Sequence, residues 1–282
     1  MSNQQEFLHS AHPIDPAMRE QVMAHLRAIE AQHNVTVLFA CESGSRGWGF
    51  ASPDSDYDVR FIYVNRLPWY LTVAPGRDVI ELPISGDLDI NGWDLRKALG
   101  LMRESNPTLL EWLRSPIVYR EEGETMDRFR TLAERVFSNA KGWHHYTSMA
   151  KKNFREHLQA DEVRYKKYLY VLRPLLAARW IREQPGVPPM RFAELAQCTL
   201  DSINDAALID EINALLEVKM RAGESATSPR WPGIHAFIEA ELERNAVEPV
   251  QALPVPGHAP LDALLFDTVL RCDPEAREGV AC

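Results

Sequence analysis

The residues best able to do chemistry lie in one stretch: Gly44, Ser45 and Arg46, then, after a turn cluster at Ser52, Pro53 and Asp54, the run Asp56, Asp58 and Arg60. Asp56 and Asp58 are separated by a single residue within the alternating segment DYDVRFIYV. A β-strand there would project both carboxylates and Arg60 from one face and Tyr57, Val59 and Phe61 from the other. Two carboxylates so placed can share a pair of divalent cations about 3.5 to 4 Å apart, which holds the attacking and leaving oxygens of a phosphoryl transfer in line. Mg²⁺ (or Mn²⁺) is the expected ion, because a hard cation takes oxygen ligands and completes its shell with water and phosphate oxygens. A third carboxylate usually completes such a set. The segment DLDING supplies Asp89 as the candidate, on a separate predicted strand able to run beside the first, with Asp87 and Asp94 as alternatives.

Upstream, VTVLFAC reads as a buried strand running into a turn at Glu42, Ser43 and Gly44. Glycine there permits close backbone approach, while backbone amides and the Ser45 hydroxyl can face a triphosphate, to which Arg46 would add charge. Gly-Ser turns are common, so the weight lies in the order: the turn precedes the acidic strand. Two plainer readings compete. An acidic turn leading into a solvated strand face is disfavoured by the strand context. A calcium loop is excluded, because Val59 stands where its glycine belongs and the closing glutamate is absent.

The elements that must position these groups follow from periodicity. Asp15 and Pro16 make a helix start, and Met18, Val22, Leu26 and Ile29 form its apolar stripe. RDVIELPI and DLDING are further expected strands. From Trp93 the spacing turns helical through DLRKALGLMRES and NPTLLEWLRS, before PIVYRE closes an α/β unit. Beyond about residue 125 nearly everything reads as helix, best in VRYKKYLYVLRPLLAARWI, where Pro174 is expected to kink or interrupt it. The fold class expected is α+β: a small mixed sheet with flanking helices over 1–124, then a helical domain over 125–282 with a Pro-rich segment near its end.

Lys151, Lys152, Arg155, Arg164, Lys166, Lys167 and Arg173 form the clearest basic concentration, equally readable as a solvated face or a substrate groove. The interleaved Tyr165, Tyr168 and Tyr170 could stack on bases, although tyrosines at helical spacing beside leucines are more often core. His144 and His145, adjacent in sequence, diverge on a helix and are expected at the surface. Trp93 and Trp112 are expected to pack helices onto the sheet, and Cys41 to be a small core residue.

The totals limit the function classes. At 282 residues two domains are expected. A formal charge of -9 excludes coating nucleic acid by bulk electrostatics, leaving a local basic groove as the route to a polyanion. The four cysteines are scattered without metal-ligand spacing, which fits a reducing cytoplasm. Neither a signal peptide nor an apolar stretch long enough to span a bilayer is legible, so no membrane partner is expected; the oligomeric state is open.

The stretch GSRGWGFASPDSDYDVRFIYV resembles the GS…SDxD signature of the DNA polymerase β-like nucleotidyltransferase superfamily. The downstream DINGWDLRKAL, SNPTLLEWLRSPIVY and KKYLYVLRPLLAARWI are similar to its RNA-repair-pathway, RNA-ligase-associated branch, over roughly residues 35 to 185. The resemblance implies that Gly44, Ser45 and, through the motif, Ser55 engage a nucleoside triphosphate, and that Asp56 and Asp58 bind metal, with Asp89 a less direct carry-over. It also implies a polymerase β-like core followed by a helical domain, and transfer of a nucleoside monophosphate to a hydroxyl, with an RNA end or tRNA as the expected partner. Nucleotidylation of protein or tRNA, as in a toxin-like relative, and a non-catalytic nucleotide- or RNA-binding module are the alternatives.

Overall fold

The protein is described here by a computed structural model covering residues 7–10, 13–184, 186–221 and 227–273. In chain order the elements are α1 (Pro16–His33), β1 (Thr36–Glu42), α2 (Gly44–Trp48), β2 (Tyr57–Val64), α3 (Leu67–Tyr70), β3 (Val79–Glu81), β4 (Leu88–Asp94), α4 (Leu95–Arg103), α5 (Pro107–Leu113), β5 (Val118–Glu121) and α6 (Gly123–Val136). There follow α7 (Asn139–His157), β6 (Glu162–Arg164), α8 (Tyr165–Glu183), α9 (Phe192–Thr199), α10 (Ala206–Arg221), β7 (Thr227–Pro229), α11 (Pro232–Val247) and α12 (Ala259–Cys272).

Two compact units share these elements, and their boundary does not follow a single cut in the sequence. Of the described residues, one unit takes Pro13–Gly44, Asp56–Phe137 and 255–273; the other takes 7–10, Ser45–Ser55 and those within 138–254. This differs from one boundary after residue 124. Helix α6 packs on β1 and α4, and α12 packs on α6, α4 and β2, so both belong with the sheet. Conversely, the segment 45–55 is held by residues of the helical unit.

In the sheet unit five strands take the order β3-β4-β2-β1-β5, with β2 and β4 parallel and the other neighbours antiparallel. This is the small mixed sheet expected. Helix α1 starts as its residues require: Asp15 Oδ1 accepts from the amides of Ala17 at 2.7 Å and Met18 at 3.4 Å, and Pro16 occupies the first turn, where a missing N–H costs nothing. Its Val22, Leu26 and Ile29 are buried against Val37, Ala40, Val59, Phe61, Tyr63, Leu88 and Ile90. Each such aliphatic side chain contributes about 1.5 to 3 kcal/mol by leaving water. Because side chains alternate, filling this face with apolar groups leaves Asp58, Arg60, Asp89, Asn91 and Trp93 on the opposite face.

Trp93 lies within β4 instead of opening the next helix, because it pairs with Val79 of β3 on one side and Ile62 of β2 on the other. Helix α4 starts two residues later, capped by Asp94, whose Oδ1 accepts from the Arg96 amide at 2.8 Å. Trp93 stacks on the buried Trp112 of α5 with ring centroids 3.8 Å apart, the packing of helix on sheet that the tryptophans suggested.

The helical unit is built around α8, which packs on α7, α9, α10 and α11. Pro174 lies inside α8, and the helix continues through it from Tyr165 to Glu183 with most of its length buried. A two-stranded ladder joins β6, between α7 and α8, to β7, between α10 and α11, a feature the helical periodicity concealed. Among the described residues no helix is long and apolar enough to cross a membrane.

Candidate active site

Strand β1 delivers the chain to the site through its last residue. Glu42 is fully buried, and its Oε1 accepts the Asp58 amide at 2.7 Å while Oε2 accepts the Tyr119 hydroxyl. Next to it, the Ser43 amide donates to the Asp58 carbonyl at 2.8 Å. Asp58 is thus held through both of its backbone groups by the last residue of β1 and the first residue after it, a fixed attachment that leaves its carboxylate as the projecting group. Burial pushes the Tyr119 phenol well above its ordinary value, as does the neighbouring Glu42, so it stays a hydrogen-bond donor. The sequence reading passed over Glu42 and Tyr119. A glutamate ending a buried apolar strand was the available signal, since a buried carboxylate requires donors.

Gly44 follows with φ +55, and a Cβ on it would meet Asp58 Oδ2 at 1.9 Å. The absence of a side chain is therefore required twice, by the left-handed backbone and by the carboxylate lodged against the Cα. The turn expected from the sequence and the second aspartate are in direct apposition.

Asp58 and Asp89 face each other as registered partners of the parallel strands β2 and β4. Arg60, two residues along β2, lies between them: its Nη2 donates to Asp58 Oδ1 at 2.8 Å and to Asp89 Oδ2 at 2.7 Å. Its Nη1 donates to the carbonyls of Val59 at 3.0 Å and Asp89 at 3.1 Å. All three side chains keep a solvent-facing fraction, 29% for Asp58, 34% for Asp89 and 18% for Arg60. Two carboxylates converging on one cationic nitrogen, beside a cradle that only glycine can form, are oxygen donors of the kind a hard divalent cation takes, and to that extent the residues fit one. Among the described residues no three His, Cys, Asp or Glu side chains are already grouped around a single point.

The remaining candidates are distributed differently. Asp56 is exposed and stands one residue before β2. Asp87 is exposed, and its carbonyl accepts the Tyr57 amide at 2.7 Å. Asp94 is fully buried: besides capping α4 it accepts from Tyr70 Oη at 2.7 Å and Asn65 Nδ2 at 2.8 Å, a structural role. Desolvation pushes its carboxyl above the ordinary value despite those donors. Of Asp87, Asp89 and Asp94, Asp89 is the one registered against Asp58.

Ser45, Arg46 and Ser55 belong to the segment grouped with the helical unit. Ser45 starts a short turn in which its carbonyl accepts from the amides of Gly49 and Phe50. The Arg46 guanidinium is buried, and its Nη2 donates to the Ser55 carbonyl at 2.7 Å, closing the loop on itself. The Ser55 hydroxyl accepts the Ser52 amide at 3.0 Å, and Lys219 Nζ donates to Ser52 Oγ at 2.9 Å. Lys219, buried on α10 and 167 residues from Ser52 in sequence, had no local signal. Trp48 of this segment packs edge-on against Tyr170 at 5.4 Å and lies under the Arg173 guanidinium at 4.9 Å.

Those contacts bear on the expected basic and aromatic groove. Tyr168 is fully buried, with its hydroxyl accepting the Trp231 amide at 3.1 Å, and Arg173 is buried with its guanidinium on the Met190 carbonyl. These two are core groups. His144 and His145 are exposed, and Cys41 is a fully buried thiol whose ionisation burial opposes, so it is no nucleophile. Of the other cysteines, Cys198 and Cys272 form no disulfide among the described residues, and Cys282 lies outside them.

Comparison with known proteins bears on this geometry. Residues 18–267 match the model of the RNA repair pathway DNA polymerase beta family. The chain belongs to that family. A Bacillus subtilis (strain 168) protein named "Uncharacterized protein YcgL" is 44% identical over 254 residues, covering 89% of this chain and 96% of the relative. A nucleotidyltransferase-like protein from Exiguobacterium sibiricum 255-15, known from a crystal structure, aligns over 89% of this chain and 76% of its own at 13% identity and a TM-score of 0.29, too remote to carry an argument. Membership in a polymerase beta family supports a nucleotidyl transferase, and the mixed sheet with its helical carboxyl-terminal region is the architecture expected of it.

Proposed function

We propose that this member of the RNA repair pathway family transfers a nucleoside monophosphate from a nucleoside triphosphate to a hydroxyl acceptor, with an RNA end as the acceptor. The observation that carries the reading is the registered pairing of Asp58 with Asp89 on adjacent parallel strands, with Gly44 packed against the first carboxylate.

Asp56 and Asp58 would hold divalent cations, with Asp89 as the third carboxylate; Asp56 would act from the residue just before β2 and Asp89 from the neighbouring strand. Mg²⁺ or Mn²⁺ bound there would supply neutralisation of the leaving pyrophosphate and activation of the acceptor hydroxyl. Glu42 fixes the backbone of Asp58, so its carboxylate is oriented before any substrate arrives, which reduces reorganisation during the reaction. Gly44 leaves room for the triphosphate to approach the main chain. Support for RNA as the acceptor comes from the family description, and the acidic overall charge means that recognition must be local rather than global.

The test is incubation with labelled nucleoside triphosphates, Mg²⁺ or Mn²⁺ and a mixed pool of RNAs, following label and pyrophosphate. Metal-dependent labelling of RNA, abolished in Asp58→Asn, is expected. Label on polypeptide would replace the acceptor, and absence of pyrophosphate release with every nucleotide and either metal would defeat the reading.

A further inference from the structure

We infer that Arg60 is a built-in counter-cation of the carboxylate pair, one that holds Asp58 and Asp89 together in the metal-free protein and must release them to a divalent ion. The inference rests on the proposed cation role of these two aspartates.

Two carboxylates placed opposite each other on neighbouring strands repel, and a strand pair that carries them needs a compensating charge. Arg60 supplies it from the same face. One nitrogen, Nη2, serves both carboxylates, at 2.8 Å to Asp58 Oδ1 and 2.7 Å to Asp89 Oδ2. The second nitrogen is committed elsewhere, to the Val59 and Asp89 carbonyls. This division of labour is what a displaceable cation requires. The Nη1 bonds tether the guanidinium to the backbone while Nη2 gives up the carboxylates, so Arg60 can yield without leaving the strand. A lysine would keep the compensating charge but not the backbone tether, since its ammonium is a single point on a flexible stem.

The consequence is a set affinity. With Arg60 in place an arriving ion meets a net charge of one unit from the three side chains instead of two, and it competes with a charge already solvating the same oxygens. A dication outbids the guanidinium, whereas Na⁺ or K⁺ carries no advantage over it. Arg60 thereby disfavours monovalent occupation and keeps the carboxylates preorganised.

Arg60→Gln separates this role from a merely structural one, with Arg60→Lys as the charge-conserving control and Asp58→Asn as the control for the site. Mn²⁺ binding is measured calorimetrically and by electron paramagnetic resonance on the full chain without nucleotide, and thermal unfolding is followed with and without Mn²⁺. Expected are Mn²⁺ binding about tenfold or more tighter in Arg60→Gln than in the wild type, as removal of a close like charge from the ion implies, and near-wild-type binding in Arg60→Lys. The Tm of Arg60→Gln should fall without metal and recover with it, because one cation replaces the other. Wild-type binding with no gain in Arg60→Gln, or a Tm loss that Mn²⁺ leaves unchanged, overturns the inference and makes Arg60 a structural ion pair. Failure of wild type, Arg60→Gln and Arg60→Lys alike to bind Mn²⁺ overturns the underlying reading of the carboxylates, and the inference with it.

Discussion

The carboxylate of Asp58 occupies the space that a side chain on residue 44 would need, with Oδ2 1.9 Å from the position of a Cβ on Gly44. The glycine of the turn and the aspartate of the strand are two halves of one packing arrangement. Replacing Gly44 by alanine should therefore act on both stability and chemistry. The left-handed backbone alone costs about 1 to 2 kcal/mol for a residue with a Cβ, and displacement of Asp58 adds to it. Expected in Gly44→Ala are a lowered Tm and a loss of transferase activity larger than the loss of folded protein explains. Wild-type turnover in a folded Gly44→Ala would show that the apposition has no catalytic meaning.

Asp89 and Asp87 lie two residues apart, and only Asp89 is registered against Asp58. Asp89→Asn should lower the rate of pyrophosphate release by about a hundredfold or more, the scale on which loss of a charge-stabilising group acts, while Asp87→Asn leaves it within a few-fold. Steady-state rates of the two variants at saturating metal decide the assignment. The reverse order of effects would move the third ligand to the turn.

Lys219 donates to Ser52 from a fully enclosed position, and Ser52 and Ser55 are bonded to each other through their hydroxyls. A buried ammonium replaced by a neutral chain leaves those acceptors without a charged donor, at a cost of about 1 to 3 kcal/mol. Lys219→Met should raise amide hydrogen exchange across residues 45–55 above that of the rest of the helical unit. Uniform exchange over the whole unit would mean that the lysine supports global stability instead of this loop.

Glu121 on β5 forms a two-point ion pair with Arg130 of α6, at 2.5 and 3.0 Å, which holds its carboxyl below the ordinary value. A carboxyl lowered on folding contributes stability above its unfolded value, and that contribution is lost as pH falls through the folded value. The stability difference between wild type and Glu121→Gln should thus be largest near neutrality, about 0.5 to 1 kcal/mol for a partly exposed pair, and shrink as the solution is acidified below the usual glutamate range. Urea unfolding at a series of pH values measures it. A difference that grows on acidification would reverse the sign and reject the pairing.

Much of this architecture was legible in the residues themselves. The Asp15-Pro16 start of α1, the strand ending at the Gly44 turn and the alternation through Asp58 and Arg60 are local patterns, and backbone geometry converts such patterns directly into elements. Asp89 could be nominated because its strand shared the acidic alternation, but the choice over Asp94 needed coordinates: Asp94 caps α4 and receives Tyr70 and Asn65, contacts made by chain that lies up to 29 residues away. Pairing between strands is a non-local event. The register that sets Asp58 beside Asp89, and the bonding of Lys219 to Ser52, depend on which segments meet, and periodicity within one segment carries no information about its neighbour. The sequence by itself determined which groups could do chemistry and on which faces of which elements they stand. Only the tertiary structure decided which carboxylates converge, which one is consumed in capping, and that Arg60 sits between the pair, because these outcomes follow from strand order and burial rather than from the order of the residues along the chain.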